Sequence, residues 1–156
     1  MKIEIGQKAP EFVLRDTDKN KVSLTDQKGR NTVLLFFPLA FTGVCTKELC
    51  SVRDNIADYN TSAAQVFGIS VDSPQTLGKF KAEQGLNFPL LSDFNKDASV
   101  NFGVLYEEFA GWMKGVSKRS AFVIDKEGVV RYAEVLENAG ELPNFQAIQN
   151  ILKSLT

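Results

Sequence analysis

The sequence predicts an α/β fold in which helices flank a mixed central β-sheet and an N-terminal β-hairpin precedes it. Short runs of apolar and β-branched residues alternate with segments of helical periodicity, which is typical of layered α/β proteins. Apolar residues make up 44% of the 156 positions, enough to build a core. One domain commonly has this length. Because no repeat or linker-like tract divides the chain, we expect residues 1–156 to form a single domain.

Turn residues and apolar runs predict the strands in chain order. The stretch Glu11–Leu24, with its turn at Asp16–Asn20, predicts a small hairpin. Three apolar runs predict buried strands at Thr32–Phe37, Val66–Val71 and Ser120–Ile124. A turn at Asp125–Gly128 joins the last of these to a partner strand at Val129–Val135. A connection this short makes the two strands antiparallel, so the sheet is predicted to be mixed.

Helical periodicity fills the stretches between and after the strands. It predicts four helices, at Cys45–Asn60, Ser73–Gln84, Lys96–Phe102 and Pro143–Leu155. Ser73 followed by Pro74 has the form of an N-cap with proline at the first helical position. The first helix carries one apolar face, formed by Cys45, Leu49, Val52, Ile56 and Tyr59.

The composition excludes several classes of function. The chain has no histidine, which removes histidine bases, histidine-activated nucleophiles and histidine metal ligands. Its 2 cysteines are too few for a four-thiolate zinc or iron–sulfur site, so we expect no metal and no organic cofactor. A net charge of −1 gives no sign of the excess positive charge that is typical of nucleic-acid-binding proteins. With no apolar leader and no stretch near the ~18 apolar residues of a membrane span, we expect a cytoplasmic protein without a membrane partner.

Cys45 stands where a buried strand gives way to a helix. Pro38 ends the strand because it cannot donate to the sheet ladder. The apolar face that follows places Cys45 in the first helical turn, where unpaired backbone N–H groups and the helix dipole favour an anion. Cysteines in such positions are activated as thiolates. The sequence therefore indicates Cys45 as a nucleophile.

Cys50 lies five residues further along the same predicted helix. On an intact helix the Cα atoms of Cys45 and Cys50 are roughly 8.6 Å apart. A disulfide needs a Cα separation of about 4.4–6.8 Å. A bridge between them therefore requires the first turns to unwind, which fits a catalytic or regulatory disulfide better than a structural one.

Several segments resemble the peroxiredoxin family. Pro38-x-x-x-Thr42-x-x-Cys45 is similar to its active-site signature, and Gly115-x-x-x-Arg119-x-x-Phe122 is similar to its arginine-bearing strand. The opening IGQKAPEFVL and the later FPLLSD also resemble family segments. FFPLAFTGVC is similar to the alkyl hydroperoxidase E class, whereas a second cysteine at position 50 resembles the Q class, or bacterioferritin comigratory proteins. The resemblance implies a thioredoxin-like fold and leaves the subclass open.

The resemblance also implies a role for each residue of the motif. Cys45 would attack a peroxide and become a sulfenic acid, Thr42 would hold the peroxide oxygens, and Pro38 would shield the thiolate from water. Arg119 would direct its fixed, permanently charged fork of donors at the sulfur and the peroxide. Cys50 would resolve the sulfenic acid as an intramolecular disulfide. An external dithiol of the thioredoxin or glutaredoxin type would then reduce that disulfide.

Some alternatives stay open at this point. A thioredoxin-like disulfide reductase would also use two cysteines, although the spacing here is C-x4-C rather than C-x-x-C. A peroxide-sensing redox switch would use the same oxidation of Cys45. Glu48 is either a partner that holds Arg119, as the family suggests, or a solvated first-turn charge. A last group of residues lies either in the core or at a homodimer interface: Phe41, Phe109 and Trp112.

Overall fold

The computed structural model describes residues 2–156. A single sheet contains seven strands: β1 Val13–Asp16, β2 Lys21–Ser23, β3 Asn31–Phe36, β4 Ala64–Ser70, β5 Leu90–Ser92, β6 Ser120–Ile124 and β7 Val130–Val135. Their spatial order is β2-β1-β5-β4-β3-β6-β7. β3, β4 and β5 run parallel, and the other neighbours pair antiparallel. The sheet is therefore mixed, as predicted, and begins with the predicted hairpin.

The strand that the sequence does not reveal is β5. It has only three residues, all buried, too few to show a periodicity. β5 pairs parallel with β4 and antiparallel with β1. It therefore attaches the N-terminal hairpin to the rest of the sheet.

Among the described residues, five α-helices pack around this sheet: α1 Gly43–Asp54, α2 Ile56–Thr61, α3 Pro74–Gln84, α4 Asp97–Asn101 and α5 Phe145–Ser154. The predicted cap of α3 is confirmed, since Ser73 Oγ accepts a hydrogen bond from the Thr76 N–H at 3.1 Å. At its other end Gly85 adopts a left-handed φ of 61°. Within residues 2–156, no helix combines the length and apolar content needed to cross a membrane.

The prediction of one continuous helix from Cys45 to Asn60 is wrong. The chain leaves helical geometry at Asn55, where φ is −115° and ψ is 19°. The Asn55 side-chain amide donates to the Ser51 carbonyl at 2.8 Å. Side chains of this type offer the backbone an alternative to helical bonding. Two helices therefore share the apolar stripe that suggested one.

Both faces of β3 are buried along its whole length, which is why its sequence is apolar without alternation. On one face, Leu35 belongs to a cluster with residues of α1, α3 and α5. On the other face, the Phe36 ring lies 5.4 Å from Phe102 and 5.9 Å from Phe122, between ring centroids. This packing fixes the carboxyl end of β3, from which the chain enters the candidate site.

Candidate active site

Cys45 lies in the first turn of α1, as the sequence predicts, and only 1% of it is exposed. Thr42 is the N-cap residue, with extended backbone angles, and its carbonyl accepts the N–H of Thr46 at 2.9 Å. The Thr42 hydroxyl donates backwards to the Leu39 carbonyl at 2.7 Å. The N–H groups of the first helical turn have no intrahelical acceptors. They give the end of α1 that carries Cys45 a partial positive charge.

Arg119 reaches this sulfur from the neighbouring strand. Phe36 at the end of β3 pairs with Ser120 at the start of β6, so the preceding residue lies just beyond the end of β3. The Arg119 side chain is 1% exposed, and its Nη2 donates to Cys45 Sγ at 3.4 Å. Its Nη2 and Nε also donate to the Ala139 carbonyl, at 3.0 and 3.3 Å. The guanidinium is therefore fixed beside the thiol from two directions.

Glu48 lies one turn after Cys45 and completes the charged group. Its side chain is 0% exposed, and its Oε1 accepts a hydrogen bond from Arg119 Nη1 at 2.6 Å. The interpretation of Glu48 as a solvated charge is therefore wrong, and the contact with Arg119 that the resemblance implied is present. Within residues 2–156, Glu48 Oε2 has no hydrogen-bond partner.

Burial dominates the titration of this acid. It raises the pKa of Glu48 to about 7, although the positive charge of Arg119 acts in the opposite direction. Burial alone lowers the pKa of Arg119, but its electrostatic interactions and hydrogen bonds with Glu48 and Cys45 outweigh that effect and leave it raised. The guanidinium thus remains charged while it donates hydrogen bonds to both the Glu48 carboxyl group and the Cys45 thiol.

A cavity of about 260 Å³ opens beside the sulfur. Four of the five site residues predicted from the sequence line it together: Pro38, Thr42, Cys45 and Arg119. The remaining lining residues are Gly43, Val44, Phe109, Ala139 and Gly140. Pro38 is itself buried. The cavity can admit a small molecule to the sulfur, although Cys45 and Arg119 are themselves only 1% exposed.

Cys50, the fifth predicted site residue, does not line this cavity. It is half-buried on α1, and its thiol donates to Gln84 Oε1 at 3.5 Å, at the end of α3. Both cysteines are free. This separation agrees with the argument that an intact helix cannot join them.

Sequence reasoning did not identify the contributions of Ala139 and Phe109 to the site. Ala139 acts through its backbone carbonyl, which any residue could supply, so no side-chain signal marks it. Phe109 is half-buried and lines the cavity. Phe41 and Trp112 are 48% and 73% exposed, so a core position for these two is wrong.

Comparison with known proteins agrees with this geometry. The model of the AhpC/TSA family matches residues 5–133. A putative peroxiredoxin of Mycobacterium tuberculosis is 43% identical over 131 residues, covering 83% of each chain. Alkyl hydroperoxide reductase E of Mycobacterium bovis is 36% identical over 157 residues, covering 99% of each chain.

Solved structures give the same result for the fold. A peroxiredoxin-like protein from Aquifex aeolicus superimposes with a TM-score of 0.91 at 29% identity, covering 100% of this chain and 90% of its own. Peroxiredoxin Q of Xanthomonas campestris gives a TM-score of 0.81 at 28% identity, covering 92% and 90%. The predicted thioredoxin-like α/β fold is confirmed. Given its family match and these relatives, the chain belongs to the AhpC/TSA family and is a peroxiredoxin, a thiol peroxidase that reduces peroxides.

Proposed function

We propose that Cys45 is the residue that attacks the peroxide. The observation that carries this proposal is the 3.4 Å contact between Arg119 Nη2 and Cys45 Sγ at the cavity. The Cys45 thiolate attacks the terminal oxygen, the O–O bond breaks, and the rest of the peroxide leaves as an alcohol or water after taking a proton. The sulfur is oxidised to a sulfenic acid by two electrons.

Ionisation of the thiol alone does not make a fast peroxidase. For any thiol, lowering the pKa from ~8.5 to ~6 raises the thiolate fraction at neutral pH about 30-fold. A Brønsted slope of ~0.4–0.5 then removes roughly 13-fold in intrinsic nucleophilicity. The remaining gain is only about two- to threefold. The rate must therefore come from groups that act on the transition state.

Arg119 and Thr42 are suited to that role. Negative charge grows on the departing oxygen, and a fixed guanidinium beside the sulfur stabilises it without rearrangement. The Thr42 hydrogen is directed at Leu39, so the lone pairs of its hydroxyl oxygen are available to accept the peroxide O–H. Pro38 closes the wall of the cavity and keeps bulk water from the thiolate. These contacts orient the peroxide oxygens in line with the sulfur.

We further propose that Cys50 resolves the sulfenic acid. Its thiol condenses with the Cys45 sulfenic acid, a disulfide forms, and one water leaves. α1 must open for this step, and the Cys50 thiol must leave Gln84. An external dithiol of the thioredoxin or glutaredoxin type then returns two electrons and two protons. Such a cycle suits the cytoplasm, where reducing systems keep thiols free.

One experiment tests the attacking and the resolving residue together. Peroxide consumption is followed for wild type, Cys45→Ser and Cys50→Ser with thioredoxin and its reductase. We expect no turnover in Cys45→Ser, and a single oxidation followed by slow or absent recycling in Cys50→Ser. Full activity of Cys45→Ser would contradict the assignment. Insulin reduction without peroxide would indicate a disulfide reductase, and one oxidation without turnover in wild type would indicate a sensor.

We also propose a homodimer formed through the surface beside the cavity. Phe41 and Trp112 expose large apolar side chains; Phe41 directly precedes the cavity residue Thr42, and the Trp112 N–H donates to the carbonyl of the cavity residue Phe109 at 3.3 Å. Large aromatic side chains at a surface are typical of interfaces. Light scattering should give twice the chain mass for wild type, and Trp112→Glu should reduce it. Phe94→Glu, at an exposed aromatic residue on the β5–α4 connection, is the matched control and should leave the mass unchanged.

A further inference from the structure

The loop that leads from β3 into α1, residues 37–42, contains a residue in an uncommon backbone conformation. Phe41 has a φ of 66°, in the left-handed region that residues with bulky side chains rarely adopt. Such a conformation persists only where the surroundings determine it. Phe41 directly precedes Thr42, so the direction of the Thr42 hydroxyl depends on whatever fixes this turn.

Three contacts fix the turn. The Ala40 N–H donates to Asp72 Oδ2 at 2.8 Å. The Phe41 ring packs against Phe80 of α3 at 5.1 Å between centroids. The Thr42 hydroxyl closes the loop on the Leu39 carbonyl. Of these, the first is a hydrogen bond that ties the turn itself to another part of the chain; at the start of the loop, the Phe37 N–H also donates to the Ile69 carbonyl of β4 at 2.9 Å.

Asp72 is itself fixed at the carboxyl end of β4, the parallel neighbour of β3. The Ser70 hydroxyl donates to Asp72 Oδ2 at 2.7 Å and accepts the Asp72 N–H at 3.2 Å. The Ser92 hydroxyl at the end of β5 donates to the Asp72 carbonyl at 2.6 Å. Both serines are buried. Residues at the ends of two strands thus hold Asp72 rigidly, with its carboxylate placed to accept the Ala40 N–H.

We propose that Asp72 is a positioning residue for peroxide reduction, which holds the strained turn at Phe41 and through it the Thr42 hydroxyl at the cavity. This inference rests on the proposed function of Cys45 and Thr42. Asp72 touches neither the sulfur nor the cavity, and it acts through the Ala40 amide alone.

The contacts also say which property of Asp72 matters. Both hydrogen bonds to its carboxylate, from Ala40 and Ser70, converge on one oxygen, Oδ2. The amide oxygen of an asparagine can accept both bonds in the same place. The role therefore requires one acceptor oxygen and no negative charge, so Asp72→Asn should retain it and Asp72→Ala should lose it.

The test measures the rate at which peroxide oxidises Cys45 in a single turnover, by rapid quench and mass spectrometry. The reaction of Cys45 with iodoacetamide, which needs no peroxide orientation, is measured in parallel. Since a small misplacement of an orienting group can cost up to ~10²-fold, we expect Asp72→Ala to lower the peroxide rate by at least about tenfold. Alkylation should stay within about twofold of wild type, and Asp72→Asn should oxidise within about threefold.

Several outcomes would overturn the inference. A wild-type peroxide rate in Asp72→Ala would show that the Ala40 contact does not control the site. Equal losses in Asp72→Asn and Asp72→Ala would assign the effect to charge instead, and parallel losses of alkylation would indicate general damage to α1. Should Asp72→Ala not fold, Asp72→Ser serves, because its hydroxyl is one bond too short for Ala40. Failure of wild-type Cys45 to react with peroxide would refute the proposed function itself.

Discussion

Arg119 and Glu48 form an ion pair with a 2.6 Å contact between Nη1 and Oε1, in a place where both side chains are almost fully removed from solvent. The same guanidinium contacts Cys45. Two acidic groups therefore compete for one cation. Breaking a buried pair from one side is costly, because the remaining charge stays buried without a partner.

The first prediction concerns stability against pH. The pKa of Glu48 is about 7 in the folded chain, against an ordinary value of 4.5. Between these values the unfolded chain releases the proton and the folded chain keeps it, so rising pH favours unfolding. The contribution of Glu48 is fully present below pH 4.5 and is lost as pH rises through about 7. The loss is on the order of 3 kcal/mol.

Urea unfolding of wild type and Glu48→Gln over a pH series measures this contribution. The difference between the two proteins isolates Glu48, because other titrating groups are common to both. Wild type should lose stability relative to Glu48→Gln from about pH 4.5 to about pH 7 and change little beyond. A difference that stays constant with pH, or that grows in favour of wild type, would contradict a raised pKa.

The second prediction concerns the Thr42 hydroxyl. Thr42→Val keeps the shape of the side chain but removes the oxygen that we expect to orient the peroxide. The rate of Cys45 oxidation should fall by up to ~10²-fold, while the ionised fraction of Cys45 changes little. Stopped-flow peroxide kinetics beside a thiolate titration separates the two effects. Thr42→Ser, which keeps the hydroxyl, is the control and should remain close to wild type; equal losses in both variants would refute the role.

The third prediction concerns the oxidised product. After one equivalent of peroxide, the intact mass of wild type should decrease by two hydrogens, as expected for a Cys45–Cys50 disulfide. Cys50→Ser should instead gain one oxygen. Gln84→Ala, which removes the acceptor of the Cys50 thiol, should form the disulfide faster than wild type. Wild type that retains one oxygen with Cys50 still free would mean that an external thiol resolves the sulfenic acid.

The fourth prediction concerns packing beneath the site. A Cβ atom added at Gly68 of β4 would lie 2.7 Å from Leu90 Cδ2, and Leu90 is buried. Gly68→Ala should therefore destabilise the fold by about 1–3 kcal/mol. Gly78→Ala, on α3, is the matched control. The nearest atom to the added Cβ would be 3.7 Å away, so the gain in helix propensity should stabilise the fold by roughly 0.5–1 kcal/mol. Denaturant unfolding measures both, and equal changes would refute the clash.

Local signals in the sequence were enough for much of this architecture. The predictions of β3 from its apolar run and of the helix cap at Ser73 depend only on residues that are neighbours in the chain, and both are confirmed. The break at Asn55 was missed because Ile56 and Tyr59 continue the apolar periodicity across it. The sequence does not predict β5, because three buried residues are too few to show a hydrophobic periodicity.

For the candidate site, too, the sequence predicts the contiguous parts but not those that depend on distant residues. The signature around Pro38, Thr42 and Cys45 is contiguous and could be recognised directly. The burial of Glu48 depends on Arg119, 71 residues away, and no local pattern distinguishes a buried acid from an exposed one at this position of the helix. The acceptor at Ala139 is a backbone carbonyl oxygen, which every residue has, so the sequence gives no sign of it.

The interruption at Asn55 also determines where α1 can fray. Cys50 stands four residues before the helix ends at Asp54, and helix ends open at much lower free energy than interiors. Tyr59, on the far side of the interruption, stays anchored in the core with α2. For the proposed disulfide, opening of α1 between Cys45 and Asp54 must therefore withdraw Val52, which is 1% exposed, from the core, whereas α2 can stay in place.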